Sequence, residues 1–211
     1  MCKKHQPLFY HITKNEDFQA YDELNNLSTR AYKVRRTSEN FTDEDFLDFV
    51  ETSLISAYKS GSDTVDEMLD IALALDIDLG NLEQALNLKV EDKTYKDRIV
   101  EYIEEDNATD DIQNSEEITR VIETEWHRMF NQGELDRATQ IEAEVGLSIG
   151  KRWETMQDGR VRGTHNYLQS DTVPINEKFY TYDGDSALMP GGFSKAENNV
   201  NCRCWLKMVN V

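Results

Sequence analysis

Three cysteines, three prolines and ten glycines are all that 211 residues contain, and no apolar run approaches the roughly 20 residues that a membrane-spanning helix needs. The shortage of cysteine excludes a disulfide framework. Cys202 and Cys204 are too close to bridge each other without strain, and Cys2 sits at a chain end, so reduced thiols are the expectation. The shortage of proline and glycine removes forced breaks. Pro7, Pro174 and Pro190 lie near the ends, which favours long helices through the middle. Residues 1–7 hold two lysines with no apolar stretch behind them, so a secretory signal is not expected and folding in a cytoplasm is.

Positive charge is scarce too, with 23 Lys and Arg against 41 Asp and Glu, a net charge of −18. Residues 1–36 carry +3 and residues 126–211 carry −1. The stretch 37–125 carries −20, from six basic and 26 acidic side chains. Such a middle repels phosphates, so any contact with nucleic acid is expected to be weak or indirect. It fits solvated helix faces, and equally docking on a basic protein surface or mimicry of DNA.

Apolar residues recur at helical spacing along most of the chain. Phe18, Tyr21, Leu24, Leu27, Ala31 and Val34 predict a helix over 16–36, followed by a linker over 35–40. Thr42 with Asp45 reads as a capping box that opens a helix through Phe46, Val50, Leu54 and Tyr58, which Gly61 is expected to stop. Asp63 then begins another, Leu79-Gly80-Asn81 interrupts, and a short helix carries Leu82, Ala85 and Leu86. A helix over 94–105 gives way to an acidic loop over 104–111. Asn114 with Glu117 opens the most periodic segment. Its stripe of Ile118, Val121, Ile122, Trp126, Met129 and Phe130 runs on past Gly133 to Val145, with Gly146 as the left-handed stop. The Trp126, Met129 and Phe130 cluster is expected to pack this helix against the C-terminal part of the chain.

After Gly150 the texture becomes that of short strands and turns. Strands are predicted at 151–156, 179–182 and 200–209, with turns at Asp158-Gly159, Asp183-Gly184 and Pro190-Gly191-Gly192. The fold class is therefore α+β: a helical arm over 1–41, an acidic helical region over 42–146, and a small strand module over 147–211. Alternation along 200–209 puts Cys202 and Cys204 on one face with Val200, Leu206 and Met208. The two thiols there are either small core residues or half of a zinc site with His165, whose fourth ligand is Asp158 or His127.

One ordered set of residues identifies more than a fold class. Trp153, Thr155, Asp158, Arg162 and His165 stand at the spacing Trp-x-Thr-x-x-Asp-x-x-x-Arg-x-x-His, and Asn201-Cys202-Arg203-Cys204 comes later in the chain. This string resembles the signature of the phage Mu F-like head-morphogenesis family. The upstream pair Thr124-Glu125 and the run Asn131-Gln132-Gly133 match the family too, whereas the family's arginine is replaced by Glu123. The resemblance implies a minor structural protein of a tailed-phage or prophage head, located in the virion or procapsid. Its implied partners are the portal protein or the capsid and scaffold proteins, with no enzymatic role. An alternative is a nuclease or toxin-like enzyme centred on His165, with Arg160, Arg162 and Arg203 clamping phosphate. Against it, the chain has no metal-spaced carboxylate pair, no Gly-rich phosphate loop and no Ser/His/Asp order. An acidic DNA-mimic inhibitor is the other alternative.

Overall fold

The computed structural model describes residues 31–32, 41–69, 75–109 and 115–211. The helix expected over 16–36, apart from Ala31 and Tyr32, and the linker over 35–40 lie outside them. The described elements are helices α1 (Asp43–Leu69), α2 (Leu79–Leu86), α3 (Tyr95–Thr109) and α4 (Ser115–Val145), then β1 (Ile149–Glu154), α5 (Gly163–Asn166), β2 (Thr172–Pro174), β3 (Phe179–Tyr180), β4 (Ser186–Ala187), α6 (Ala196–Asn199) and β5 (Trp205–Asn210). This is an α+β chain, helical first and then built from short antiparallel strands.

Helix starts follow their caps. The Thr42 backbone N–H donates to Asp45 at 2.7 Å and Asp45 N–H returns a bond to Thr42 Oγ1 at 3.1 Å, the expected capping box. Thr94 and Asp97 repeat it before α3. Asp78 accepts from the N–H groups of Gly80 and Asn81, so Leu79 to Asn81 begin α2 instead of interrupting a helix. The acidic loop expected over 104–111 is a helix as far as Thr109. Burial explains that difference: Asp106, which reads as solvated, is fully buried and receives the Tyr32 hydroxyl. Gly146, at φ +71°, ends α4 as expected.

Gly61 does not stop a helix. Helix α1 runs straight through it to Leu69, so the two predicted helices are one. A Cβ on Gly61 would come within 2.0 Å of the Phe130 carbonyl oxygen, and a Cβ on Gly133 within 2.0 Å of the Tyr58 carbonyl oxygen. The two glycines are the crossing point at which α1 and α4 touch backbone to backbone. Ser62 Oγ reaches the Gly133 carbonyl and Arg137 pairs with Asp66, both 71 residues apart. A constant offset means that the two helices run parallel.

Two cores share α1 and α4. The first lies among the helices: Phe46, Val50, Leu54 and Tyr58 of α1, Leu82 and Ala85 of α2, Tyr95, Ile99 and Ile103 of α3, and Ile118 to Phe130 of α4. Trp126, Met129 and Phe130 belong here, not against the strand module. The second core begins past the glycine crossing. There Val65 of α1 and Leu135, Ala138 and Ile141 of α4 meet Ile149, Trp153, Leu206 and Met208 of the sheet. That sheet has the order β2-β1-β5, all antiparallel, with Lys151 opposite Met208 and Trp153 opposite Leu206. A separate hairpin joins β3 to β4.

Candidate functional site

Period-two alternation turns Ile149, Lys151 and Trp153 of β1 toward the second core. Lys151 is fully buried. Its Nζ donates to the Ile175 carbonyl at 2.7 Å and lies over the Phe179 ring, and burial pushes its pKa down to about 8. Trp153 is the centre of an aromatic cage. Its ring meets His165 edge-on at 5.4 Å and Phe179 at 5.2 Å, while Phe193 stacks on His165 at 5.2 Å.

The chain leaves β1 through a turn in which Val161 N–H bonds back to the Asp158 carbonyl, then enters α5, which carries His165. Against it comes the segment between α6 and β5. The sequence predicts strand from Val200 onward, yet the regular strand starts only at Trp205. Asn201 takes a left-handed φ of 55°, which turns the chain. Alternation of burial survives without the strand: Cys202, Cys204, Leu206 and Met208 are all buried.

The fold brings His165, Cys202 and Cys204 together from two remote stretches of sequence. Their ligand atoms all lie within 4.8 Å of one another. His165 Nδ1 is 3.5 Å from Cys202 Sγ and 3.4 Å from Cys204 Sγ, and the three residues are 1%, 3% and 2% exposed. His127 of α4, also buried, hydrogen-bonds Cys202, and Asn131 one turn further on packs against the His127 ring. The buried indole N–H of Trp153 lies beside Cys204 and meets no oxygen. Burial raises Cys204, reinforced by its neighbour Cys202. For Cys202 burial acts the same way but is outweighed by hydrogen bonds from Cys204, His127 and His165, so this thiol is lowered.

Asp158 does not join this cluster and is corrected as a fourth ligand. It accepts both arms of the Arg203 guanidinium at the surface, one at 2.7 Å, and Arg203 holds it well below the usual carboxylate range. Arg160 pairs with the same carboxylate at 3.6 Å. Arg162 donates to the Val200 carbonyl at 2.6 Å and the Asn198 carbonyl at 3.4 Å. Of the three arginines expected to clamp a phosphate, Arg162 and Arg203 are thus engaged in ties between the β1–α5 connection and the α6–β5 segment, and Arg160 pairs locally within the β1–α5 connection. Thr155 closes the same region, donating its N–H and hydroxyl to Gln169 Oε1 at 2.8 and 2.6 Å. Glu125 is a buried ion-pair residue between Arg98 and Arg128.

Sequence reading missed the hub that holds the other side of the site. Asp185 is buried and accepts from Ser186 N–H, Ser194 Oγ and Asn198 Nδ2 at 2.8–3.0 Å. Burial would raise it, but these donors outweigh burial and its pKa is lowered. Asn199 clamps Phe193 by both backbone groups, at 3.0 and 2.7 Å. An aspartate after Asp183-Gly184 reads as an ordinary turn residue, so spacing alone held no signal for it. Glu134 was missed as well. It lies fully inside the fold on α4 and neither carboxyl oxygen has a partner.

Against known proteins, residues 70–207 match the model of a family described as phage Mu protein F like protein. A stretch of 61 residues, 29% of the chain, is 41% identical to the NAD(+)–arginine ADP-ribosyltransferase EFV of Enterococcus faecalis (strain ATCC 700802 / V583), covering 12% of that protein. A stretch of 83 residues, 39% of the chain, is 31% identical to minor head protein GP7 of Bacillus phage SPP1, covering 26% of it. The chain therefore spans about a quarter or less of the length of these curated relatives. No solved structure matches it significantly.

Proposed function

Because the chain belongs to the family of phage Mu protein F like proteins, we propose that it is a minor structural protein of a tailed-phage or prophage head, acting at the portal or procapsid during head morphogenesis. The observation that carries this reading is the family match over 70–207, which takes in the whole signature from Trp153 to Cys204. The likeness to a minor head protein supports it. So does the use made of the signature residues, which are spent on contacts inside the fold: Arg203 on Asp158, Arg162 on two carbonyls, Thr155 on Gln169, and His165 on two thiols. Such residues build a scaffold whose outer surface is left for contact. That surface offers exposed Tyr167, Tyr180 and Tyr182, a residue type enriched at protein interfaces, and the chain also carries strongly acidic helices.

The test is mass spectrometry of purified particles and procapsids, with pull-down of the full chain by the portal protein. Presence in either particle, and portal binding that weakens at high salt, is the expected result. Absence from both, with no portal binding at low salt, would sink the reading. Enzymatic chemistry at His165 would require the site to open, since the ring is 1% exposed and a base must reach its substrate within about 3 Å. Turnover of a nucleic acid or of NAD(+) that is lost in His165→Ala favours that alternative. Tight, salt-sensitive binding to a nucleic-acid enzyme of the host favours a DNA-mimic inhibitor.

A further inference from the structure

The geometry points to a structural zinc site in which Cys202, Cys204 and His165 are three ligands and His127 is the fourth. An imidazole nitrogen has a single in-plane lone pair or a single N–H, so it serves two sulfurs equally by hydrogen bonding only through a weaker three-centre bond. Here one nitrogen, His165 Nδ1, stands 3.4 and 3.5 Å from two sulfurs at once. A tetrahedral zinc has Zn–S of about 2.3 Å and Zn–N of about 2.0–2.1 Å, which makes the N···S edge of the tetrahedron about 3.6 Å. The observed separations are those of ligands around a common centre. His127 lies against Cys202 but outside the cluster of three, and a small shift of its ring toward the centre would complete a Cys2His2 set, the donor chemistry zinc takes in closed sites.

The surroundings fit the same occupant. All four side chains are buried, and a structural site excludes water. The Trp153 indole N–H beside Cys204 lacks an oxygen partner, and a metal-bound thiolate is a far better acceptor for it than a thiol. The four ligands come from α4, α5 and the segment before β5, so the metal would fasten the strand module to the helix that underlies it.

The full chain, purified without a histidine tag under reducing conditions, is assayed for metal and then refolded with cobalt(II). About one zinc per chain and intense tetrahedral cobalt bands with thiolate charge transfer are expected, both lost in Cys204→Ser. His127→Gln should weaken zinc binding at least about tenfold while leaving the other ligands in place. If the cysteine variant fails to fold, chelator titration of the unmutated chain decides: melting temperature falls and added zinc restores it. Less than about 0.2 zinc per chain, no tetrahedral cobalt spectrum and a melt indifferent to chelator overturn the site. Full binding that survives Cys204→Ser overturns these ligands, and unchanged affinity in His127→Gln overturns the fourth.

Discussion

Glu134 shows what a single residue can reveal about this fold. Burial without a partner raises its pKa well above the ordinary carboxylate value. A carboxyl raised in the folded state leaves stability intact below the unfolded pKa and removes it as pH climbs from there toward the folded one, at about 1.4 kcal/mol per pH unit. Glu134→Gln, an uncharged isostere, should therefore melt higher than the parent at pH 7, with the gap closing as pH falls toward about 4.5. Thermal melts between about pH 4.5 and 8 check this, and a gap independent of pH would show that Glu134 is not held neutral. The thiols give a second test. Cys202 and Cys204 are buried, so a thiol reagent should leave both unlabelled in the native chain and label both after unfolding. Rapid native labelling of either contradicts the site described. Their burial was legible in the sequence, because alternation with Leu206 and Met208 does not depend on regular strand. Glu134 was not, since one acidic residue on a polar-looking helix turn gives no sign of which way it faces.

Among the elements, the glycine crossing is the most exposed to test. In an ordinary solvent-facing helix, replacing glycine by alanine gains up to about 1 kcal/mol. At Gly61 or Gly133 the new methyl would sit 2.0 Å from a backbone oxygen of the other helix, so α1 and α4 must move apart. Gly61→Ala and Gly133→Ala should each cost about 1–3 kcal/mol in chemical denaturation. Gly159→Ala, with nothing within 4 Å, should stay within about 0.5 kcal/mol. The helix start at Thr42 was legible from its capping box, whereas Asp78 caps α2 where an interruption was expected. Helix ends were less so. Gly61 has the composition of a stop, and only its packing against the α4 backbone beside Gly133 makes it a contact. The 104–109 stretch read as an acidic loop because the Tyr32 hydroxyl that Asp106 receives lies 74 residues away.

At the scale of the molecule, the strand module depends on the helices beneath it. Its core includes Val65, Leu135, Ala138 and Ile141, and Ile149 N–H is held by Glu142 of α4. A fragment of residues 147–211 alone should lack dispersed amide resonances, with or without zinc, whereas the full chain shows them. A folded fragment would contradict the shared core. The α+β outline and the position of the signature were legible because composition changes abruptly after Gly150. That α4 serves both cores was not legible, because its apolar stripe reads the same on either side of the crossing. The net charge of −18 makes the proposed portal contact a screened one, since the Debye length falls from about 10 Å at 0.1 M salt to about 3 Å at 1 M.

The parallel pairing of α1 with α4 also sets a delay during synthesis. Contacts between them join residues 71 positions apart, such as Ser62 with Gly133, so α1 is complete long before its principal partner emerges from the ribosome. At about 5–20 residues per second, the wait is roughly 4–14 seconds. For that interval the face bearing Phe46, Val50, Leu54 and Tyr58 lacks its α4 partner, and the nascent chain presents a ready target for a holdase chaperone. Ribosome-bound chains stalled before α4 should recruit one, and chains extended through Val145 should release it.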